Sequence, residues 1–328
     1  MVNKSLSETE LLKFGTIGNL SQKAEALLNE QKSNWELLQA NFIGLRKVRT
    51  KLFTLDNFNV KVQFNPTRIT STAAKVDAKS IAERKCFLCL ENLPAPQKGI
   101  LYKNDYIILC NPFPIFEQHL TIPNINHIPQ NIEKHFLDML DLTFDLKDNF
   151  FVFYNGPKCG ASAPDHFHFQ AGIKNMVPIE SDYKNLVNKN GRIISQTSNA
   201  KVILIENNVR PFISIESNDK KIINETLIKI LDFLKTLTDT TEEPLVNILS
   251  YFENKIWKVI IFPREKHRPK QYFAENKSKL IISPASVDMA GLLVTPREED
   301  FEKVSKEDIE SIYKQVSVNN KLLKEIKI

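Results

Sequence analysis

The densest group of reactive side chains in the sequence is His166-Phe167-His168-Phe169-Gln170. A strand alternates its side chains between two faces. An extended run here puts His166, His168 and Gln170 on one face and turns Phe167 and Phe169 into a core. An imidazole is nucleophilic at neutral pH and can attack an α-phosphorus. It needs one ring N–H held by an acceptor, so that the other nitrogen presents its lone pair. A glutamine two residues along can donate to a phosphate oxygen without adding negative charge, which stabilises a developing oxyanion. The preceding loop, residues 155–165, carries Gly156, Gly160 and several other small residues. Its glycines allow close approach of a backbone to phosphate, and Ser162 and Lys158 could supply donors. Two histidines on a solvated sheet face are the plainer alternative, which the loop and the terminal glutamine disfavour.

Cys86-Phe-Leu-Cys89 offers two thiolates at a spacing that suits zinc. In a reducing compartment such a pair suggests metal or redox chemistry before a disulfide. Packing as small hydrophobes is the alternative, and no thioredoxin-like context supports a redox pair. Arg68, Arg264, Lys266 and Arg268 are candidate phosphate cations, each otherwise a solvated surface charge. His135 is expected on a helix surface and Cys110 in the core.

The elements that must position these groups read as α+β with largely antiparallel sheet. Apolar spacing predicts a helix over residues 21–46, and a basic, strand-like stretch covers 51–70. Strands are expected at 106–111, 119–123, 150–155 and 166–172, with a helix over 131–147. In the second half, 201–206 with 210–215 and 245–252 with 256–263 read as hairpins. Between them lies an amphipathic helix built on Ile222, Ile223, Leu227, Ile230, Leu231 and Leu234. A short strand pair is expected around Leu280 and Leu292. A final helix starts at Ser305, with Asp308 placed for a capping box. Pro123-x-x-x-His127-x-Pro129 and Pro263-x-x-x-His267-x-Pro269 each follow an apolar strand, which suggests a duplication with one catalytic copy. His267 then reads as a relic of that repeat.

Composition narrows the function classes. The 328 residues are 42% hydrophobic and 25% charged, with a formal net charge of +5. That is an ordinary globular balance which fits an anion binder. No basic run interleaved with aromatics suggests a nucleic-acid partner. No window has the apolar length to span a membrane, and residues 1–20 lack the apolar stretch of a signal peptide. The expectation is a cytoplasmic protein with no nucleic-acid or membrane partner.

The run Gly160-Ala-Ser162-Ala-Pro-Asp-His166-Phe-His168-Phe-Gln170 resembles the signature of the histidine-triad (HIT-like) superfamily. Within it, the resemblance is to the branch ending in Gln: galactose-1-phosphate uridylyltransferases, diadenosine tetraphosphate phosphorylases and GDP-hexose phosphorylases. The loop wording is closest to the phosphorylases. It covers about residues 60–175. Over 176–328 it rests on Ile-Ile-Phe-Pro-Arg264 and Asp288-Met-Ala-Gly291.

The resemblance implies HIT-like antiparallel sheets with flanking helices in two imperfect repeats. The expected organisation is an N-terminal helical segment (1–50), a catalytic repeat (51–180) and a second, degenerate repeat completing the pocket (181–328). It implies a nucleotidyltransferase in which His168 becomes nucleotidylated and Gln170 binds the transferred phosphate. Ser162 would contact phosphate, Asn155 resembles the asparagine that the uridylyltransferases carry thirteen residues before the nucleophile, and Asn111 would meet the ribose hydroxyls. The substrate would be a nucleotide sugar or a dinucleoside polyphosphate. The acceptor would be phosphate, or a sugar phosphate in a hexose-1-phosphate uridylyltransferase. A non-catalytic nucleotide-binding protein is the alternative of another class, and a homodimer is one assembly it allows. Several superfamily members complete a Cys-x-x-Cys zinc site with two histidines. Here these would be His127 and His166, with His119 a competing third ligand.

Overall fold

The computed structural model describes residues 4–72 and 76–328. Its centre is a ten-stranded sheet in the order β3-β4-β5-β7-β6-β11-β12-β10-β9-β8. The strands are β3 (Gly99–Tyr102), β4 (Tyr106–Cys110), β5 (His119–Pro123), β6 (Phe150–Asn155), β7 (His168–Ile173), β8 (Gly191–Gln196), β9 (Ala200–Ile205), β10 (Phe212–Ser217), β11 (Val246–Glu253) and β12 (Ile256–Pro263). All neighbours in this sheet pair antiparallel. A second, three-stranded sheet joins β1 (Arg49–Leu55) and β2 (Phe58–Phe64) to β13 (Leu292–Thr295).

The strand order contains the expected duplication. The first five strands lie in the order 3-4-5-7-6, and the last five, read from the other edge, in the order 8-9-10-12-11. These are the same path, with β6 and β11 meeting in the middle. One helix, α3 (Phe136–Asp145), falls between the third and fourth strands of the first unit, and α5 (Lys220–Leu237) does so in the second. The matched Pro-x-x-x-His-x-Pro segments are not equivalent under this order. Pro123 ends β5, whose counterpart is β10, whereas Pro263 ends β12, whose counterpart is β7. Helix α4 (Pro178–Asn190) runs through residues 180 and 181.

Two cores flank the ten strands. On one face pack the N-terminal helices α1 (Leu20–Asn34) and α2 (Glu36–Leu45) together with α3 and α5. Helix α5 starts where the Asp219 carboxylate accepts from the Lys221 and Ile222 amides, and it buries Ile223, Leu227, Ile230, Leu231 and Leu234. On the other face lie the three-stranded sheet, α4 and α6 (Lys306–Val316), which opens with the expected Ser305–Asp308 capping box.

Several expected elements are adjusted. The helix expected over 21–46 breaks at Trp35, whose extended backbone ends α1 and starts α2 while its ring stays buried. Helix α3 is shorter than expected, beginning at Phe136. The stretch at 51–70 is a hairpin, β1–β2, followed by short helical turns. No strand forms at Leu280; β13 instead pairs parallel with β2. The two second-half hairpins form, and the turn of the second takes Asn254 and Lys255 through positive φ.

Candidate active site

The strand expected from residue 166 starts at His168, so His168 and Gln170 share a face as expected, while His166 lies buried in the turn before β7 and off the cavity wall. Phe167 and Phe169 are buried in the helical-side core beside Tyr106 and Tyr154. His168 and Gln170 line a cavity of about 600 Å³ on the opposite side, a volume typical of small-molecule sites. The His168 ring has one defined tautomer. Its Nδ1 lies 2.8 Å from the His166 carbonyl, which can only accept, so Nδ1 carries the proton and Nε2 keeps its lone pair. Burial pulls the ring down to about 4, so it is a neutral imidazole at physiological pH. The buried Gln130 amide fixes the backbone: it accepts from the His168 amide at 2.8 Å and donates to the His168 and Asn155 carbonyls at 3.0 and 3.1 Å.

Asn155 ends β6 and lines the same cavity. Its Oδ1 accepts from the Ser286 amide (2.8 Å) and from Asn247 Nδ2 (3.2 Å). With the oxygen engaged by a backbone donor, the NH2 is the end left to donate. Asn247, the second residue of β11, stands opposite Asn155 in the ladder, and its own Oδ1 accepts from Arg264 Nη1. Arg264 is 1% exposed. Its guanidinium also donates to the carbonyls of Val316, Pro284, Lys266 and His267. The second unit thus reaches the site through an Arg264–Asn247–Asn155 chain. Arg264, expected as a phosphate cation, is an internal strut.

Arg68, Asn111, Ser162, His267, Arg268 and Asp288 also line the cavity. Arg68 donates to the Phe113 carbonyl at 2.7 Å, and burial pulls it down to about 10, which still leaves a cation. Arg84 lines it too; its Nη2 meets Asp165 at 2.8 Å and the Ser162 carbonyl at 3.3 Å, tying the loop before His168 in place. Asp288, its carboxylate held by the Ala285 and Val294 amides, is pushed up to about 6 by burial. With Arg84 paired to Asp165, Arg68 and Arg268 are set against the Asp288 carboxyl along the cavity wall, a charge balance that favours anions. Asn111 is oriented by Thr121 and by the Phe113 amide.

Lys158 does not reach the cavity. It is an exposed side chain paired with Glu242. Both loop glycines are needed for packing, and Gly160 also lines the cavity. A Cβ on Gly156 would meet the Val246 carbonyl at 2.8 Å, and one on Gly160 would meet Ala285 Cβ at 2.6 Å. His135, expected on the surface, is half-buried on Phe167 with Nδ1 3.1 Å from the Tyr106 hydroxyl. His267 is no relic, since it faces the cavity.

Cys86, Cys89, His127 and His166 bring their ligand atoms within 4.8 Å of one another. The separations Cys86 Sγ–His166 Nδ1 (3.3 Å), Cys89 Sγ–His127 Nδ1 (3.2 Å) and Cys89 Sγ–His166 Nδ1 (3.6 Å) are close to the edges of a tetrahedral zinc site, about 3.5 Å for an S–N pair. His166 Nε2 lies 2.7 Å from the Asn124 carbonyl, so its proton is there and Nδ1 is free to ligate. The His127 Nε2 lies 3.6 Å from Asp165. The group could therefore hold a metal ion. His119 is not part of it; its ring nitrogens face Ile115 and Gln170.

Sequence reasoning missed Gln130, Asn247 and Ser286. Gln130 has no local signal, and the other two act from the second unit across the β6–β11 seam.

Residues 27–173 match a family described as a domain of unknown function, DUF4922, and residues 187–328 match the GDPGP1-like C-terminal domain. No curated protein sequence matches the chain. The crystal structure of yeast Ap4A phosphorylase Apa2 is similar with a TM-score of 0.54 at 16% identity, over 86% of this chain and 93% of that one. The same yeast protein in complex with Ap4A gives 0.53 at 15% identity, over 88% and 97%. A uridylyltransferase mutant covers 70% of this chain and 93% of its own at 15% identity, with a TM-score of 0.37. At these identities the likeness to the yeast Ap4A phosphorylase is one of fold.

Proposed function

Since the chain has the HIT-like fold of the branch that includes the Ap4A phosphorylases, we propose that it is a nucleotidyltransferase of the phosphorylase type, working through a nucleotidyl-His168 intermediate. The observation that carries this reading is the His168 ring: neutral, proton fixed on Nδ1, Nε2 lone pair free, on the wall of a cationic cavity.

In the first half-reaction Nε2 attacks the α-phosphorus of a nucleotide sugar or dinucleoside polyphosphate. The P–N bond forms as the bridging P–O bond breaks, and the leaving sugar phosphate or nucleoside polyphosphate takes the electron pair. The ring becomes cationic, and its Nδ1–H remains on the His166 carbonyl, which stabilises that charge. The amides of Gln170 and Asn155 donate to the oxygens of the transferred phosphoryl group. In the second half-reaction an oxygen of inorganic phosphate attacks the same phosphorus, the P–N bond breaks, and the neutral imidazole returns. The product is a nucleoside diphosphate. Asn111 would meet the ribose, and Arg68, Arg84, Arg268 and Ser162 the phosphates.

Zinc held by Cys86, Cys89, His127 and His166 would be structural. It would tie the segment before β3 to His166 in the turn before β7, and so hold the carbonyl that fixes the nucleophile's tautomer.

The test is phosphorolysis of a panel of nucleoside diphosphate sugars and dinucleoside polyphosphates. Phosphate-dependent release of a nucleoside diphosphate is expected. Tight nucleotide binding with no turnover of any member would favour a non-catalytic binding protein. Turnover only with a hexose 1-phosphate acceptor would make it a uridylyltransferase.

A further inference from the structure

His119 is fully buried beside the candidate site, and nothing so far gives it a task. Its ring is fixed in place and in tautomer. The Phe116 ring meets it edge-on at 5.4 Å, and Phe153 stacks on it at 6.0 Å. Opposite His119 in the β5–β7 ladder stands Gly172, where a Cβ would lie 2.6 Å from the Phe116 ring. That missing side chain is what lets Phe116 pin the imidazole. The Ile115 amide points at Nδ1 from 3.2 Å. A backbone N–H can only donate, so Nδ1 carries no proton, and a neutral ring has its proton on Nε2. Burial keeps the ring neutral.

Nε2 lies 3.0 Å from Gln170 Oε1. Its N–H therefore occupies the oxygen of that amide, and the NH2 becomes the end turned to the cavity. Without this bond a glutamine amide can flip, since its two ends are nearly the same shape. Flipped, it would present a carbonyl oxygen to a phosphate oxygen, which replaces a donor by repulsion.

We propose that His119 is a positioning residue that sets the amide of Gln170 so that its NH2, not its oxygen, meets the transferred phosphoryl group. This rests on the nucleotidyl-transfer reading above. The same geometry excludes two other roles. The Nδ1 lone pair is taken by Ile115, so His119 is no general base. Both ring nitrogens are engaged away from Cys86 and Cys89, so it is no metal ligand. Asn155 is set in the same sense by the Ser286 amide, and the two NH2 groups then converge on the phosphoryl group from β6 and β7.

The test is a double-mutant cycle. His119→Phe fills the ring's place without a donor, and His119→Gln can return a donor near the Nε2 position. Each is made alone, and His119→Phe also in a Gln170→Ala background, with thermal melts confirming folding. With the nucleotide substrate found by the phosphorolysis panel, His119→Phe should slow formation of the nucleotidyl-enzyme by about 10- to 100-fold, with KM changed less than about threefold. His119→Gln should recover much of the rate. In the Gln170→Ala background His119→Phe should have almost no effect. An equal loss in both backgrounds would overturn the proposal, because a merely structural role does not depend on Gln170. The tautomer is read separately by NMR of protein labelled with 15N-histidine. Protonated Nε2 and bare Nδ1 support the proposal, and a proton on Nδ1 overturns it whether or not the wild-type protein turns over. A wild-type protein that never forms an adduct fails the proposed function, a result the NMR reading keeps distinct from a failure at His119.

Discussion

Gly160→Ala tests how tightly the second unit is seated on the site. Gly160 has φ +113°, which L side chains rarely adopt, and a Cβ there would lie 2.6 Å from Ala285 Cβ and 3.1 Å from Ala285 Cα. The backbone strain costs about 1–3 kcal/mol. Overpacking against a neighbouring main chain costs about another 1–3 kcal/mol. The lost freedom of the unfolded glycine returns about 0.4–1 kcal/mol. The net expectation is a destabilisation of about 3 kcal/mol, from the sum of these contributions. Urea unfolding followed by circular dichroism should show the midpoint fall with the slope unchanged. Adding Ala285→Gly removes the 2.6 Å contact but not the φ strain, so the double variant should recover about half of the loss. Activity should fall further than the folded fraction, because moving Ala285 also moves the Ser286 amide that caps Asn155 Oδ1 at 2.8 Å. The reasoning is refuted by a Gly160→Ala variant within about 0.5 kcal/mol of wild type, or by no recovery in the double variant.

Glu243 accepts from the Ile132 amide (2.6 Å) and the Tyr154 hydroxyl (2.8 Å), and burial pushes its carboxyl up to about 7 from an ordinary 4.5. The folded protein therefore binds more protons than the unfolded one between those values. Its contribution is fully present below the unfolded pKa and is lost as pH rises through about 7, amounting to about 3 kcal/mol at most. Glu243→Gln should gain stability relative to wild type between about pH 5 and about pH 8, and an identical difference at both ends would contradict this. Elemental analysis of protein purified without chelator should find about one zinc per chain. Chelation or Cys86→Ser should lower the melting temperature, and an unchanged melt would leave Cys86 and Cys89 as packing residues. Lys158→Ala should keep kcat/KM within about twofold, because an exposed pair such as Lys158–Glu242 is worth about 0–1 kcal/mol; a larger loss would restore Lys158 to the site.

The strands of the ten-stranded sheet were mostly readable because β-branched and aromatic runs with sharp turns carry their own signal. The pairing of β13 with β2 was not, since it joins segments far apart in the chain with no local mark. The break at Trp35 was hidden because its ring keeps the apolar spacing of a continuous helix. His168, Gln170 and the Cys86–Cys89 pair stand out through residue type and spacing, whereas His127 and His166 join that pair only through the family resemblance. Gln130, Asn247 and Arg264 did not, because their roles arise only where β6 meets β7 and β11. The duplication was read correctly in kind but from the wrong pair of segments. It is carried by strand order, which a three-residue sequence match cannot report.

The central claim is a covalent bond between His168 and a nucleotide. The direct measurement is mass spectrometry of the protein after incubation with a turned-over nucleotide substrate in the absence of phosphate. The account predicts one nucleotidyl adduct, mapped to the peptide containing His168, acid-labile as a phosphoramidate is, discharged on adding phosphate, and absent in His168→Ala. An adduct on a different residue, or full turnover by His168→Ala, would contradict it.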